Sequence, residues 1–98
     1  MISKETRAEN FADEGLDGKV AIVTGGGARD DGIGNGRAAA LLLADAGVRV
    51  LVVDRWVSAA ERTVEMITGN GGVAVAFDAD VTVEADCKAM VAKVLELW

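Results

Sequence analysis

The stretch TGGGARDDGIGNGRAAA, residues 24–40, decides the fold of this 98-residue chain. Glycines crowd its beginning, give way to the charged segment 28–31, and return as Gly32, Gly34 and Gly36. A run of alanine and leucine follows at once. A backbone without side chains at the start of an apolar helix predicts a turn that brings main-chain N–H groups close to a ligand.

The segments around this stretch alternate between strand and helix patterns. Three short apolar runs rich in β-branched residues predict strands, and a helical pattern follows each of them. The strands are KVAIVTG, VRVLVVD and VAVAFDAD, and the helices are GIGNGRAAALLLADAG, SAAERTVEMITGNGG and TVEADCKAMVAKVLELW. Strands that are apolar on both faces indicate a parallel sheet covered by helices on both sides. Right-handed crossovers then predict the strand order 3-2-1, part of a doubly wound α/β fold of Rossmann type.

Several residues are predicted to begin or end the helices. The first helix is expected to begin near Ile33, to be buried almost all round, and to end at Gly47 in a left-handed conformation. Ser58 and Glu61 have capping-box spacing at the start of the second helix, and Thr82 is the expected N-cap of the third. The buried stripe of the third helix is predicted to consist of Cys87, Met90, Val91, Val94 and Trp98.

Composition excludes several classes of function. A net charge of −6 provides no basic surface for a nucleic-acid backbone. The single cysteine excludes an internal disulfide, and the longest apolar run, residues 38–44, is too short to cross a bilayer. Residues 1–17 are polar, lack a secretory pattern, and are predicted to form a lead-in to a domain of residues 18–98. We therefore expect a cytoplasmic protein without a metal site and without nucleic-acid or membrane partners.

The glycines of the turn have separate predicted roles. Gly25 allows a sharp turn at positive φ, and Gly32 and Gly34 let a pyrophosphate meet main-chain N–H groups. Gly36 allows the helix to pack closely. Asp54 ends the second strand, where an acid accepts hydrogen bonds from a ribose diol. A turn without a ligand would explain the glycines alone, but the strand–turn–helix context together with this acid favours dinucleotide binding.

Residues 16–98 resemble the N-terminal half of a short-chain dehydrogenase/reductase. The likeness rests on DGKVAIVTGGG, GIGNGRAAALLLADAGVRVLVVDR and DADVT. The family pattern is Thr-Gly, three variable residues and Gly-x-Gly. Here six residues separate Gly25 from Gly32. Segment 28–31 is therefore interpreted as a charged insertion at the edge of the phosphate-binding turn.

The resemblance implies an oxidoreductase that transfers hydride between a nicotinamide cofactor and an alcohol or ketone. Asp54 matches the acid that binds the adenosine ribose in NAD-preferring members, and Asp80 with Val81 matches the pair beside the adenine ring. Arg29 and Arg55 are cations that a 2′-phosphate could meet, but the like charge of Asp54 favours NAD over NADP. The implied cofactor-binding residues are Gly25, Gly27, Gly32, Ile33, Gly34, Asp54, Asp80 and Val81.

The resemblance also identifies what this sequence lacks. The family uses a Tyr-x-x-x-Lys pair and a serine beyond the third helix, whereas this chain has no tyrosine and no histidine. We assign no catalytic residue and expect a fragment that is inactive alone, with a substrate only in a full-length form. The alternative is a complete small protein that binds a nucleotide or a partner without catalysis. Without a fourth strand, the first strand is expected to be an open edge, so the isolated chain should self-associate.

Overall fold

The computed structural model of the chain describes residues 15–28 and 34–98. Within these residues, strands and helices alternate as predicted. The elements in chain order are β1 (Val20–Thr24), α1 (Asn35–Asp45), β2 (Arg49–Asp54), α2 (Val57–Gly69), β3 (Ala74–Asp78) and α3 (Glu84–Leu97). Residues 1–14, most of the predicted lead-in, lie outside the described part of the chain.

The strands form one parallel sheet in which β2 lies between β1 and β3, so the predicted order 3-2-1 is confirmed. The register sets Thr24 beside Val53 and Asp54 beside Asp78. Within the described residues β1 has a hydrogen-bonded neighbour on one side and an open edge on the other. This position explains why β1 alternates between exposed and half-buried residues, although its apolar sequence predicted a buried strand.

Helices cover both faces of the sheet, and each face has its own core. Val50 and Val52 of β2 pack with residues of α1 and α2 on one face, whereas Leu51 and Val53 pack with Met90 of α3 on the other. The four β2 residues from 50 to 53 are all 0% exposed. Burying one such side chain contributes about 1.5–3 kcal/mol, so the core is centred on β2.

The starts of two helices differ from the predictions. α2 begins at Val57 and has no side-chain cap, so Ser58 lies inside the first turn and the predicted capping box is wrong. The chain already turns before this point, because Asp54 Oδ1 accepts the N–H of Trp56 at 3.0 Å. The predicted N-cap Thr82 is also wrong. Val83 is the N-cap of α3, and the N–H and the hydroxyl of Thr82 both donate to Oδ1 of Asp80 in the preceding turn.

The remaining expectations for the helices are partly met. Gly47 ends α1 with a φ of +91°, as predicted. α1 is less buried than expected, because Leu42 on its outer side is 61% exposed. On α3, Met90 is buried and Cys87, Val94 and Trp98 pack against it, but Val91 is 52% exposed and does not belong to the stripe. No helix in the described part of the chain is long and apolar enough to cross a membrane.

Candidate functional site

The carboxyl ends of the three strands lie side by side and carry the candidate residues. Gly25 follows β1, Asp54 ends β2, and Asp80 lies two residues beyond β3. Because parallel pairing aligns these ends, residues that are far apart in the sequence lie along one edge of the sheet. In open α/β sheets this edge is where ligands bind.

The turn after β1 is pressed against the neighbouring strand. Gly25 has a φ of +64°, the left-handed conformation that was predicted for it. The N–H of Gly26 donates to the carbonyl oxygen of Val53 at 3.0 Å, which ties the turn to β2. A Cβ on Gly26 would lie 2.7 Å from Cγ1 of Val52, so there is no space for a side chain at this position.

Gly27 lies against α2 and bonds to Asp54. A Cβ on Gly27 would lie 2.8 Å from the carbonyl carbon of Ala59. The N–H of Gly27 donates to Oδ2 of Asp54 at 3.1 Å, and the N–H of Trp56 donates to Oδ1. Two main-chain donors therefore orient the carboxylate, and each of its oxygens keeps a lone pair that can accept a hydroxyl hydrogen.

The two glycines at the start of α1 differ in the space that a side chain would find. Gly34 is the N-cap, with extended backbone, and among the described residues the nearest neighbour of a Cβ there is Cβ of Ala28, at 4.0 Å. Gly36 is closed: its Cβ would overlap the carbonyl oxygen of Gly25 and lie 2.7 Å from the carbonyl carbon. The close packing predicted for Gly36 is therefore found, and its partner is the turn after β1. Gly32, Ile33 and residues 29–31 lie outside the described residues.

Asp80 forms the turn that precedes α3. Its Oδ1 accepts the N–H of Thr82 at 2.9 Å and the hydroxyl of Thr82 at 2.6 Å, while its Oδ2 lies 3.7 Å from Nε of Arg55. The hydroxyl bond most of all, then the N–H bond and, less strongly, the Arg55 charge lower the pKa of Asp80. α3 has Val83 as its N-cap, so Asp80 does not cap the helix, and the neighbouring Val81 is 51% exposed.

Sequence reasoning missed two buried polar residues beside the turn. Arg37 on α1 and Thr63 on α2 are both 0% exposed. Nε of Arg37 donates to the Thr63 hydroxyl at 2.8 Å, and that hydroxyl donates to the carbonyl oxygen of Gly26 at 2.7 Å. The available signal was the spacing of Arg37 from Ala40, which places the arginine on the buried face of α1. No local pattern indicated Thr63 as its partner.

Metal binding finds no support in this part of the chain. Across residues 15–28 and 34–98, no group of three acidic, cysteine or histidine side chains lies close enough together to hold a metal ion. The groups that this edge presents are main-chain N–H groups, the N-terminus of α1 and the Asp54 and Asp80 carboxylates.

The family model for short chain dehydrogenases matches residues 19–98, so the chain belongs to the short-chain dehydrogenase/reductase family. This family binds nicotinamide dinucleotides. The membership predicted from the glycine turn is confirmed, as is the partial Rossmann-type fold.

Individual relatives are similar over the same part of the chain. The short-chain dehydrogenase/reductase homolog YusS of Bacillus subtilis is 46% identical over 74% of this chain and 63% of its own length. The 7alpha-hydroxysteroid dehydrogenase of Escherichia coli K12 is 41% identical over 76% of this chain and 28% of its own length. A solved structure of 7 alpha-hydroxysteroid dehydrogenase, complexed with NADH and 7-oxo glycochenodeoxycholic acid, is 38% identical with a TM-score of 0.76. The match covers 83% of this chain and 30% of that one, so the chain spans less than two thirds of each relative.

Proposed function

We propose that residues 18–98 form the NAD-binding part of an oxidoreductase that transfers hydride between the cofactor and an alcohol or ketone. The observation that carries this proposal is the Asp54 carboxylate, which two main-chain N–H groups hold at the carboxyl end of β2 beside the glycine turn. The names of the relatives support it, since one is a hydroxysteroid dehydrogenase and a related structure is complexed with NADH. We place this activity in the cytoplasm, without nucleic-acid partners.

The pyrophosphate is proposed to bind in front of α1. The nearest described neighbour of a Cβ on Gly34 is 4.0 Å away, and the first turn of α1 contains no acidic residue that would repel an anion. The unpaired N–H groups at a helix start carry the equivalent of roughly +0.5 charge. Asp54 would accept the ribose hydroxyls, and Asp80 with Val81 would border the adenine. The full proposed set is Gly25, Gly27, Gly32, Ile33, Gly34, Asp54, Asp80 and Val81.

Charge at the adenosine end favours NAD over NADP. A 2′-phosphate would have to lie beside the Asp54 carboxylate, and like charges at close range oppose binding. Arg55 is the nearby cation, but it already lies 3.7 Å from Asp80 and its side chain is 74% exposed. A cation held by another carboxylate and screened by water offsets little of this repulsion.

We predict that the chain binds NAD at least about tenfold more tightly than NADP, because like-charge contact costs more than about 1.4 kcal/mol. Asp54→Asn should narrow this gap, since it removes the charge and keeps an acceptor for the Gly27 N–H. Asp54→Ala should narrow it too and weaken NAD binding further. The measurement is titration calorimetry with both cofactors.

Asp78→Ala is the matched control for this experiment. Asp78 ends β3 beside Asp54 in the register, but its side chain is exposed. The variant removes one negative charge, as the Asp54 variants do, and should leave the ratio of NAD affinity to NADP affinity unchanged. Equal affinity of the unmodified chain for the two cofactors would show that Asp54 does not select the ribose.

We also infer that these 98 residues bind cofactor without completing the catalytic site, because they contain neither tyrosine nor histidine. The alcohol or ketone would then be a substrate of a longer form. The alternative of a complete small protein that binds a nucleotide or a partner without catalysis is not favoured, because the matched family model is that of short chain dehydrogenases.

The isolated chain is expected to self-associate through β1. In the described residues one edge of β1 is open, and its Val20 and Ile22 are 38% and 36% exposed. Open apolar edges pair with other chains. Sedimentation should show a mass that rises with concentration, and Val20→Lys should reduce it. Val73→Lys, at a valine that is 48% exposed before β3, tests whether the other edge contributes. A concentration-independent monomer of the unmodified chain would rule out this association.

A further inference from the structure

Arg37 and Thr63 form a buried polar connection between the two helices that cover one face of the sheet. Nε of Arg37 donates to the Thr63 hydroxyl at 2.8 Å, and its Nη2 donates to the carbonyl oxygen of Ala59 at 3.1 Å. A guanidinium only donates hydrogen bonds. The Thr63 hydroxyl must therefore accept from Arg37 with a lone pair and direct its own hydrogen elsewhere.

That hydrogen is directed to the glycine turn. The Thr63 hydroxyl oxygen lies 2.7 Å from the carbonyl oxygen of Gly26 and 3.4 Å from that of Ala59, so the Gly26 carbonyl is the better acceptor. The same peptide group contains the N–H of Gly27, which donates to Asp54 at 3.1 Å. Because C=O and N–H of a trans peptide point in opposite directions, Thr63 and Asp54 hold this peptide from both sides.

The peptide is also confined by packing. A Cβ on Gly27 would lie 2.6 Å from Cβ of Ala59 and 2.9 Å from the nitrogen of Ala60, so Gly27 packs directly against α2. Thr63 is one helical turn after Ala59 and belongs to the same face. A change in the hydrogen bonds of Thr63 would therefore be passed directly to the Gly26–Gly27 peptide.

We propose that Arg37 and Thr63 are positioning residues of the cofactor site, which orient the Asp54 carboxylate through the Gly26–Gly27 peptide. The inference rests on the proposed function, in which Asp54 binds the ribose, and extends it to two residues that do not touch the cofactor. A buried guanidinium is costly to desolvate, and an apolar side chain would fill the space at lower cost. Arg37 orients the Thr63 hydroxyl by donating a hydrogen bond to it, and an apolar residue at position 37 could not do so.

The first test is the hydrogen exchange of the Gly27 amide in the unliganded chain. Thr63→Val keeps the shape and removes the hydroxyl, so Gly27 exchange should accelerate and NAD affinity should fall, each by about tenfold, the equivalent of one hydrogen bond. Thr63→Ser keeps a hydroxyl at this position, so the Gly27 exchange rate and the NAD affinity should both stay close to those of the unmodified chain. Thr68→Val is the matched control, because the Thr68 hydroxyl is exposed and bonds within α2, to the carbonyl oxygen of Val64 at 2.9 Å.

A double-mutant cycle separates positioning from general stability. If Thr63 acts through Asp54, Thr63→Val should lower NAD affinity less than about twofold in an Asp54→Ala background. An equal loss in both backgrounds would overturn the inference, and so would unchanged Gly27 exchange in Thr63→Val. The ribose contact itself is tested separately with Asp54→Ala alone. If that variant binds NAD as tightly as the unmodified chain, Asp54 does not contact the ribose.

Arg37→Lys keeps the inference testable if Thr63→Val does not fold. Lysine retains the positive charge but lacks the Nε donor and the fixed fork of the guanidinium. Faster Gly27 exchange and weaker NAD binding, restricted to the Asp54-containing chain, would support the positioning role. If Gly27 exchange and NAD affinity in Arg37→Lys both equal those of the unmodified chain, Arg37 is not a positioning residue.

Discussion

Gly36→Ala is expected to lower the free energy of unfolding by about 3 kcal/mol or more, a large part of the stability of a small domain. The added Cβ would overlap the carbonyl oxygen of Gly25 and lie 2.7 Å from its carbonyl carbon and 3.2 Å from Cα of Gly26. All three atoms belong to the backbone of the turn, so no side-chain rotation can relieve the overlap. Either α1 must move away from the sheet or the turn must open. Urea unfolding followed by circular dichroism measures the loss.

Gly34→Ala is the matched control, two residues earlier in the same turn. Its backbone is extended, with φ −86° and ψ 171°, and the nearest neighbour of an added Cβ in the described part of the chain lies 4.0 Å away. The expected loss is below about 1 kcal/mol, the difference between glycine and alanine at an N-cap. Comparable losses in the two variants would show that the close approach of α1 to the Gly25 turn is not what requires glycine at position 36.

No NADH is expected when the purified chain is incubated with NAD and secondary alcohols. Removal of hydride from an alcohol needs a group that takes the hydroxyl proton, and such a group contributes about 10²–10⁴-fold to the rate. The sequence contains no tyrosine or histidine. Asp54 and Asp80 both accept main-chain N–H groups at the proposed adenosine end, and Cys87 faces the carbonyl oxygen of Val81 at 3.3 Å.

The measurement is NADH absorbance over a panel of alcohols, with buffer as the reference. Gly34→Val is the control for any activity that appears. Within residues 15–28 and 34–98 the nearest neighbour of a Cβ at this position is 4.0 Å away, so we expect the variant to fold, but a branched side chain would occupy the space proposed for the pyrophosphate. Turnover that survives purification and disappears in Gly34→Val would show that residues of this chain complete a catalytic site.

The fold was predictable because its signals are local. Each signal depends on neighbours in the sequence: the apolar runs of strand length, the alanine–leucine helix and the glycines at turns. Right-handed crossovers then determine the order of the strands in the sheet. Gly25 and Gly36 were also correctly interpreted, since a positive φ and a close helix approach both require the absence of a side chain. The open edge of β1 was expected, but the exposure of alternate residues along it was not, because burial depends on the elements that pack against a strand rather than on its own sequence.

The polar contacts of the site were not predictable in the same way. The bond from Gly27 to Asp54 joins residues 27 apart in the sequence, and the bond from Arg37 to Thr63 joins residues 26 apart. Such pairs are made by tertiary packing alone. The wrong helix cap at Ser58 has a local cause, because Asp54 turns the chain before α2 by accepting the N–H of Trp56, two residues later.

The two hydrogen bonds that Asp54 accepts also limit how this site could be re-engineered for the phosphorylated cofactor. Replacing Asp54 with an apolar residue would remove the acceptor of the Gly27 N–H together with the charge. An unpaired buried donor costs about 1–3 kcal/mol, which would offset the gain from lost repulsion. A neutral acceptor such as asparagine is the better starting point. Among the described residues Arg55 is a cation that could meet the 2′-phosphate, but it lies 3.7 Å from Asp80. Freeing Arg55 for the phosphate therefore requires coordinated substitutions at positions 54 and 80 rather than a single exchange.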